Sequence, residues 1–138
     1  MRVRNKLVAA ATVAVAFGGV FLSAGSASAS GGGSCGGNDA CLYYYQGLKG
    51  GSFGDPSVDT YQYNSNYLFD GCNNGSCGGD GKYVRNAAAS VWNVNPTNTV
   101  RIYYSPDQSG PYQDIAPRAW ANLNDTLRNQ NASQDWHG

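Results

Sequence analysis

The sequence predicts an all-β domain rich in turns, and three observations carry that expectation. Every acidic residue is Asp, with no Glu anywhere, and Asn and Gly are abundant; these residues favour turns and loops, whereas Glu favours helix interiors. Ten tyrosines all lie beyond position 29, and aromatic side chains suit the half-buried surface of a strand. The third observation is an internal repeat, which marks two copies of one supersecondary unit.

The chain opens with Arg2, Arg4 and Lys6, an apolar run from Leu7 to Leu22 broken only by Thr12, and Ala27-Ser28-Ala29. A basic start, a hydrophobic stretch too short to span a bilayer and a small-residue cleavage site predict a signal peptide over 1–29, with Ser30 the first mature residue. The protein is expected to be secreted, without membrane attachment after cleavage. Beyond position 29 there remain six cationic and nine acidic side chains. That mildly acidic balance, with no basic stripe, argues against nucleic-acid partners.

Residues 30–40 read as a Gly/Ser-rich lead. Cys35, Cys41, Cys72 and Cys77 are expected to form disulfides in an exported chain. Four cysteines allow three pairings. Cys35–Cys41 with Cys72–Cys77 is favoured because each pair is local and bracketed by Gly. Zinc is the rival reading, but these spacings are not the usual C-x2-C knuckles and the single histidine is His137.

"CLYYYQ" and "VRIYYS" are aromatic or β-branched runs followed by Gly or Pro, as strands before hairpins are. They open the two copies of the repeat. Tyr44, Tyr45, Gly51, Phe53 and Asp55 recur as Tyr103, Tyr104, Gly110, Tyr112 and Asp114, at a constant offset of fifty-nine. Gly51 and Gly110 are expected to hold positive φ, or to let the backbone fold back where a Cβ would clash. "VDTYQYN" predicts a half-exposed strand, with Asp59, Tyr61 and Tyr63 on one face and Val58, Thr60 and Gln62 on the other. "SVWNV" predicts another strand, and Trp120, Leu123 and Leu127 a short core-facing turn.

Each copy carries Arg-Asn-x-x-Ala-Ser, Arg85–Ser90 in the first and Arg128–Ser133 in the second, at an offset of forty-three. The first copy therefore carries an insertion, assigned to about 64–81, which contains both Cys72 and Cys77. The units are 41–98 and 99–138. Asn86 and Ser90, like Asn129 and Ser133, are expected to bond backbone groups and hold the turn that closes each unit.

At these residues the chain resembles βγ-crystallin-like domains, which are double Greek-key sandwiches. With "CLYYYQGLKGGSF" and "VRNAAASVWN" it is similar to the secreted actinobacterial peptidase inhibitors related to the streptomycete metalloproteinase inhibitor. The resemblance covers roughly Cys41–Gly138. It implies a single small disulfide-containing domain that inhibits extracellular proteases, metalloproteases first. In calcium-binding βγ-crystallins the terminal segment supplies oxygen ligands. Here Arg85 and Arg128 stand where an acid or amide belongs, and Ala89 and Ala132 where a hydroxyl belongs. The motif is degenerate for calcium, so weak calcium binding or none is expected, and no other cofactor.

The insertion is the candidate protease-binding loop: Tyr67, Leu68, Phe69, Cys72, Asn73, Asn74, Gly75, Ser76 and Cys77, with Leu68 or Phe69 the apolar anchor and the disulfide the brace; the competing reading places Leu68 and Phe69 in the core. A braced loop gives up little freedom on binding. Enzyme chemistry is not expected, since His137 stands one residue from the end and all thiols are assigned to disulfides. A monomer is expected. The rival readings are a cell-surface or wall-glycan binding module, using exposed Tyr and Trp, and a structural βγ-crystallin-like protein without inhibitory activity.

Overall fold

The computed structural model describes residues 35–138; the expected signal peptide and the lead up to Ser34 lie outside them. Seven strands form: β1 (Ala40–Tyr45), β2 (Lys49–Asp55), β3 (Ser90–Asn93), β4 (Thr99–Ser105), β5 (Ser109–Ile115), β6 (Trp120–Asn122) and β7 (Ser133–His137). They make two antiparallel sheets, ordered β2-β1-β3-β6 and β5-β4-β7. Alternation along the strands supplies the core between them. Ala40 and Leu42 of β1, Val91 of β3, and Val100 and Ile102 of β4 are all buried, and Phe53, Ile115, Leu123 and Leu127 join them.

Each unit lends its third strand to the other sheet. β6 belongs to the second unit by sequence yet pairs with β3 of the first. Conversely, Thr60 of the first unit exchanges two backbone hydrogen bonds with Gln134 of β7, each 2.9 Å. The expected strand over Val58–Asn64 is reduced to that bridge. Its alternation also fails, because Thr60 and Tyr63 are the buried residues while Tyr61 is exposed. Tyr63 turns inward to donate its hydroxyl to Gln134 Oε1 at 2.7 Å. Leu123 and Leu127 reach the core as expected, but Trp120 stands on β6 and is exposed.

The repeat is real in three dimensions, with its register shifted by one. Tyr43 pairs with Ser52 and Tyr45 with Lys49, as Tyr103 pairs with Tyr112 and Ser105 with Ser109. The structural counterpart of Tyr103 is therefore Tyr43, not Tyr44, and that of Gly110 is Gly50, not Gly51. Gly50 and Gly110 hold φ of 84° and 82°. Gly51 does not hold positive φ, but a Cβ there would lie 3.0 Å from that of Phe69. In each unit the hairpin that follows the first strand folds over through two further positive-φ residues, Gly47 and Leu48 or Asp107 and Gln108.

Ser90 and Ser133 hold these hairpins down. Ser90 Oγ donates to the Tyr45 carbonyl at 2.7 Å and accepts from the Leu48 N–H at 3.0 Å. Ser133 Oγ donates to the Ser105 carbonyl at 2.6 Å and accepts from the Gln108 N–H at 3.0 Å. Asn86 and Asn129 act differently from the expectation. Among the described residues their side chains make no such bonds; they occupy positive φ, 61° and 60°, where Asn is tolerated. Their N–H groups reach across the pseudo-twofold to the Asn131 and Ala88 carbonyls, both at 2.8 Å. The closing side chain is Asn131, fully buried, which accepts from the Ala87 and Ala88 N–H groups and donates to the Val84 carbonyl.

One buried carboxylate sits at the junction of the units. Asp55, 1% exposed, accepts from Thr60 Oγ1 at 2.9 Å. Burial pushes its carboxyl up to about 7, the Thr60 hydrogen bond opposes this, and the nearby Asp39 charge adds to it. A folded-state value above the unfolded one means stability that is full below the ordinary carboxylate range and is lost as pH rises through about 7. Asp55→Asn should therefore flatten the fall in Tm between pH 4 and pH 8, read by thermal unfolding across that range. A separate prediction concerns the hairpin ties. Ser133→Ala leaves the Gln108 N–H without its partner and should cost about 1–3 kcal/mol in denaturant unfolding.

Candidate functional site

The insertion leaves the core at Tyr63, runs outward along the free edge of β2, and returns at Val84. Its base is ordinary core. Tyr67 stacks on Phe53 with ring centroids 4.7 Å apart, and Phe69 is 1% exposed, edge-on to Tyr44. Phe69 is thus removed as an anchor: its ring is spent on the sandwich interior. Leu68 is half-buried and bridges to Tyr83 across the neck of the insertion. Neither residue lies at the protruding end.

Beyond Phe69 the backbone extends the first sheet. Asp70 and Ser52 exchange backbone hydrogen bonds of 2.9 and 3.0 Å, and the Gly78 carbonyl accepts from the Gly51 N–H at 2.8 Å. Between these attachments, Cys72–Cys77 closes a ring. Asn73 and Ser76 form a two-residue hairpin inside it, with reciprocal bonds of 2.9 and 3.1 Å. The turn residues Asn74 and Gly75 hold φ of 50° and 81°, the conformation for which Asn-Gly is the favoured pair. Two side chains then pin the ring to the β1–β2 hairpin. Asn73 Nδ2 donates to the Gly50 carbonyl at 2.8 Å, and Asn74 Nδ2 to the Leu48 carbonyl at 2.6 Å. Cys72, Asn74, Gly75 and Cys77 remain exposed.

The other disulfide, Cys35–Cys41, ties the chain entering the domain to β1. A cleft lies between the two bridges, on the outer face of the first sheet, lined by Cys35, Tyr43, Ser52, Asp70, Cys72 and Trp92. Sequence reasoning missed Trp92 and Asp70 here. The sequence places Trp92 on a strand, but only the register of Cys41 against Trp92 across β1 and β3 brings it to the cleft that the loop borders. A second hollow, lined by Tyr44, Asn86, Ala87, Arg128 and Asn129 among others, separates the two Arg-Asn segments. His137 pairs through Nε2 with Asp135 Oδ1 at 2.8 Å, on the opposite sheet.

Two Greek keys with exchanged third strands, each closed by a serine on a folded hairpin, define a βγ-crystallin-like domain. The comparison with solved structures agrees. The chain is similar to one from work on the "Evolution of the eye lens beta-gamma-crystallin domain fold", with a TM-score of 0.54 at 16% identity, over 75% of this chain and 89% of that one. At that identity the likeness concerns the fold. No protein-family model matches the sequence, and no curated protein matches it. The two disulfides fit an oxidising environment, and among the described residues no helix is long and apolar enough to cross a membrane.

The returning limb packs against the β1 tyrosines through two glycines, Gly78 against Tyr45 and Gly79 against Tyr44. Gly79 has φ of 91°, and a Cβ there would collide with the Tyr44 ring. Gly79→Ala should lift the returning limb off the sheet. The expected result is faster amide exchange at Gly51 with the β4–β5 hairpin unchanged, measured by residue-resolved hydrogen exchange.

Proposed function

We propose that the protein is a secreted, non-enzymatic inhibitor of extracellular proteases, metalloproteases first, that lodges the Cys72–Cys77 ring in the enzyme's cleft. The observation that supports this most is the independent bracing of the ring by a covalent bridge, by its own hairpin, and by Asn73 and Asn74 bonded to β2 and its turn. A segment held this way has little conformational entropy left to lose on binding, where each freely rotating side chain would cost about 0.5–1.5 kcal/mol. The exposed end carries Asn74 and Gly75 rather than an apolar anchor. Recognition therefore runs through main-chain groups and shape, and the narrow ring suits a deep, narrow cleft. No metal takes part, and calcium should leave Tm unchanged.

The test is a titration of oxidised mature protein against a thermolysin-like zinc protease at saturating zinc, with a subtilisin-like protease in parallel. Stoichiometric loss of zinc-protease activity is the expected result. The Cys72→Ser, Cys77→Ser double variant should keep its fold by circular dichroism and lose at least about tenfold in inhibition, equivalent to about 1.4 kcal/mol. Absence of inhibition by the folded wild type at micromolar concentration overturns the proposal. Retention on insoluble wall glycan in that case moves the function to the exposed aromatic residues.

A further inference from the structure

We propose that the cleft beside the ring receives a cationic side chain, arginine or lysine, from the protein partner. The idea deepens the inhibitor reading and rests on it for the partner's identity, but the cleft's chemistry stands on its own residues. The two disulfides bound it on either side, with Cys35 at one rim and Cys72 at the other. Its aromatic component is Trp92, 37% exposed on the outer face of β3, with Tyr43 of the adjacent strand beside it.

Asp70 supplies the charge. It is fixed by its two backbone bonds to Ser52, and among the described residues its side chain has no ion pair and no hydrogen bond. A second carboxylate, Asp80 on the returning limb, accepts from the Gly71 N–H at 3.0 Å. None of the residues lining the cleft is cationic. Trp92 and Asp70 stand at opposite sides of the cleft, with Tyr43 and Ser52 on its floor, so a long cationic side chain laid across it meets the indole with its length and the uncompensated carboxylate with its charged end, drawing on the ring quadrupole and on direct charge. An anion would meet only repulsion there, and an apolar side chain would bury Asp70 and the Ser52 hydroxyl without a partner.

The position matters as much as the chemistry. Cys72 belongs both to the ring and to the cleft lining. A partner seated on the ring presents its neighbouring surface to Trp92 and Asp70, so one cationic residue at the rim of its binding cleft would be read by this pocket. The mature chain's excess of acidic over cationic side chains favours such partners at longer range.

Two arms test the proposal. In the first, isotope-labelled protein is titrated with N-acetyl-arginine amide, and the Trp92 indole N–H is followed by NMR, assigned with Trp92→Phe. A saturable shift is expected, weakened at least about threefold in Asp70→Asn and absent with N-acetyl-leucine amide or chitotriose. No shift, or an equal shift with the leucine or sugar probe, overturns the proposal. In the second arm, Asp70→Asn and Trp92→Ala are compared with wild type against an inhibited protease. Inhibition about tenfold weaker at unchanged Tm is expected; wild-type potency in both variants overturns the proposal. Arginine binding without protease inhibition keeps the cleft and removes only the inhibitor reading.

Discussion

Everything in this domain hangs on two serine hydroxyls. A hairpin that folds back over its own sheet needs consecutive residues at positive φ, and one of them, Leu48, is a residue for which that conformation is costly. Ser90 and Ser133 offset the cost by accepting the N–H that the fold leaves unpaired and donating to the carbonyl opposite it. Each serine also begins its unit's last strand. The same residue thus pins the hairpin and starts the pairing that completes the sheet. The Ser that ends both segments is explained by that double duty, and the alanine before it is buried in each unit.

The two units then diverge at their free edges. β5 is left open and carries Pro111, which offers no N–H to an incoming strand. β2 is covered instead by the insertion, which pairs with Ser52 and extends the sheet by one short segment. A loop that covers an edge is held to it by backbone hydrogen bonds, so its outer end is positioned by the sheet rather than by its own length. Rigidity at Cys72–Cys77 is therefore partly borrowed from β2.

Much of this was legible in the sequence. The repeat, the strands opening with "LYYY" and "RIYY", the insertion and its local cysteine pair all follow from composition and spacing. What escaped has physical causes. The first copy has three consecutive tyrosines and two consecutive glycines, Tyr43 to Tyr45 and Gly50-Gly51, so the sequence admits two registers, and matching Tyr44-Tyr45 to Tyr103-Tyr104 sets Gly51 rather than Gly50 against Gly110. For Phe69 the sequence leaves anchor and core both open, because nothing local distinguishes an apolar residue at the neck of a loop from one at its end, and the structure decides for the core. Asn131 was hidden by the comparison itself: its counterpart in the first unit is Ala88, and matching two copies discards a residue that serves both from one side. Trp92 and Asp70 lie more than twenty positions apart, and only strand register brings them to one cleft.

The exchange of third strands has a bearing on ancestry. A chain that ended before β4 would own β1, β2 and β3 but lack the strand that flanks β3, while its Thr60 segment would have no β7 to pair with. Two such half-length chains could each supply what the other lacks, in the manner of a swapped pair. The linker from Asn93 to Thr99 replaces that association with a covalent one, so the domain has the topology of a homodimer fused into a single polypeptide.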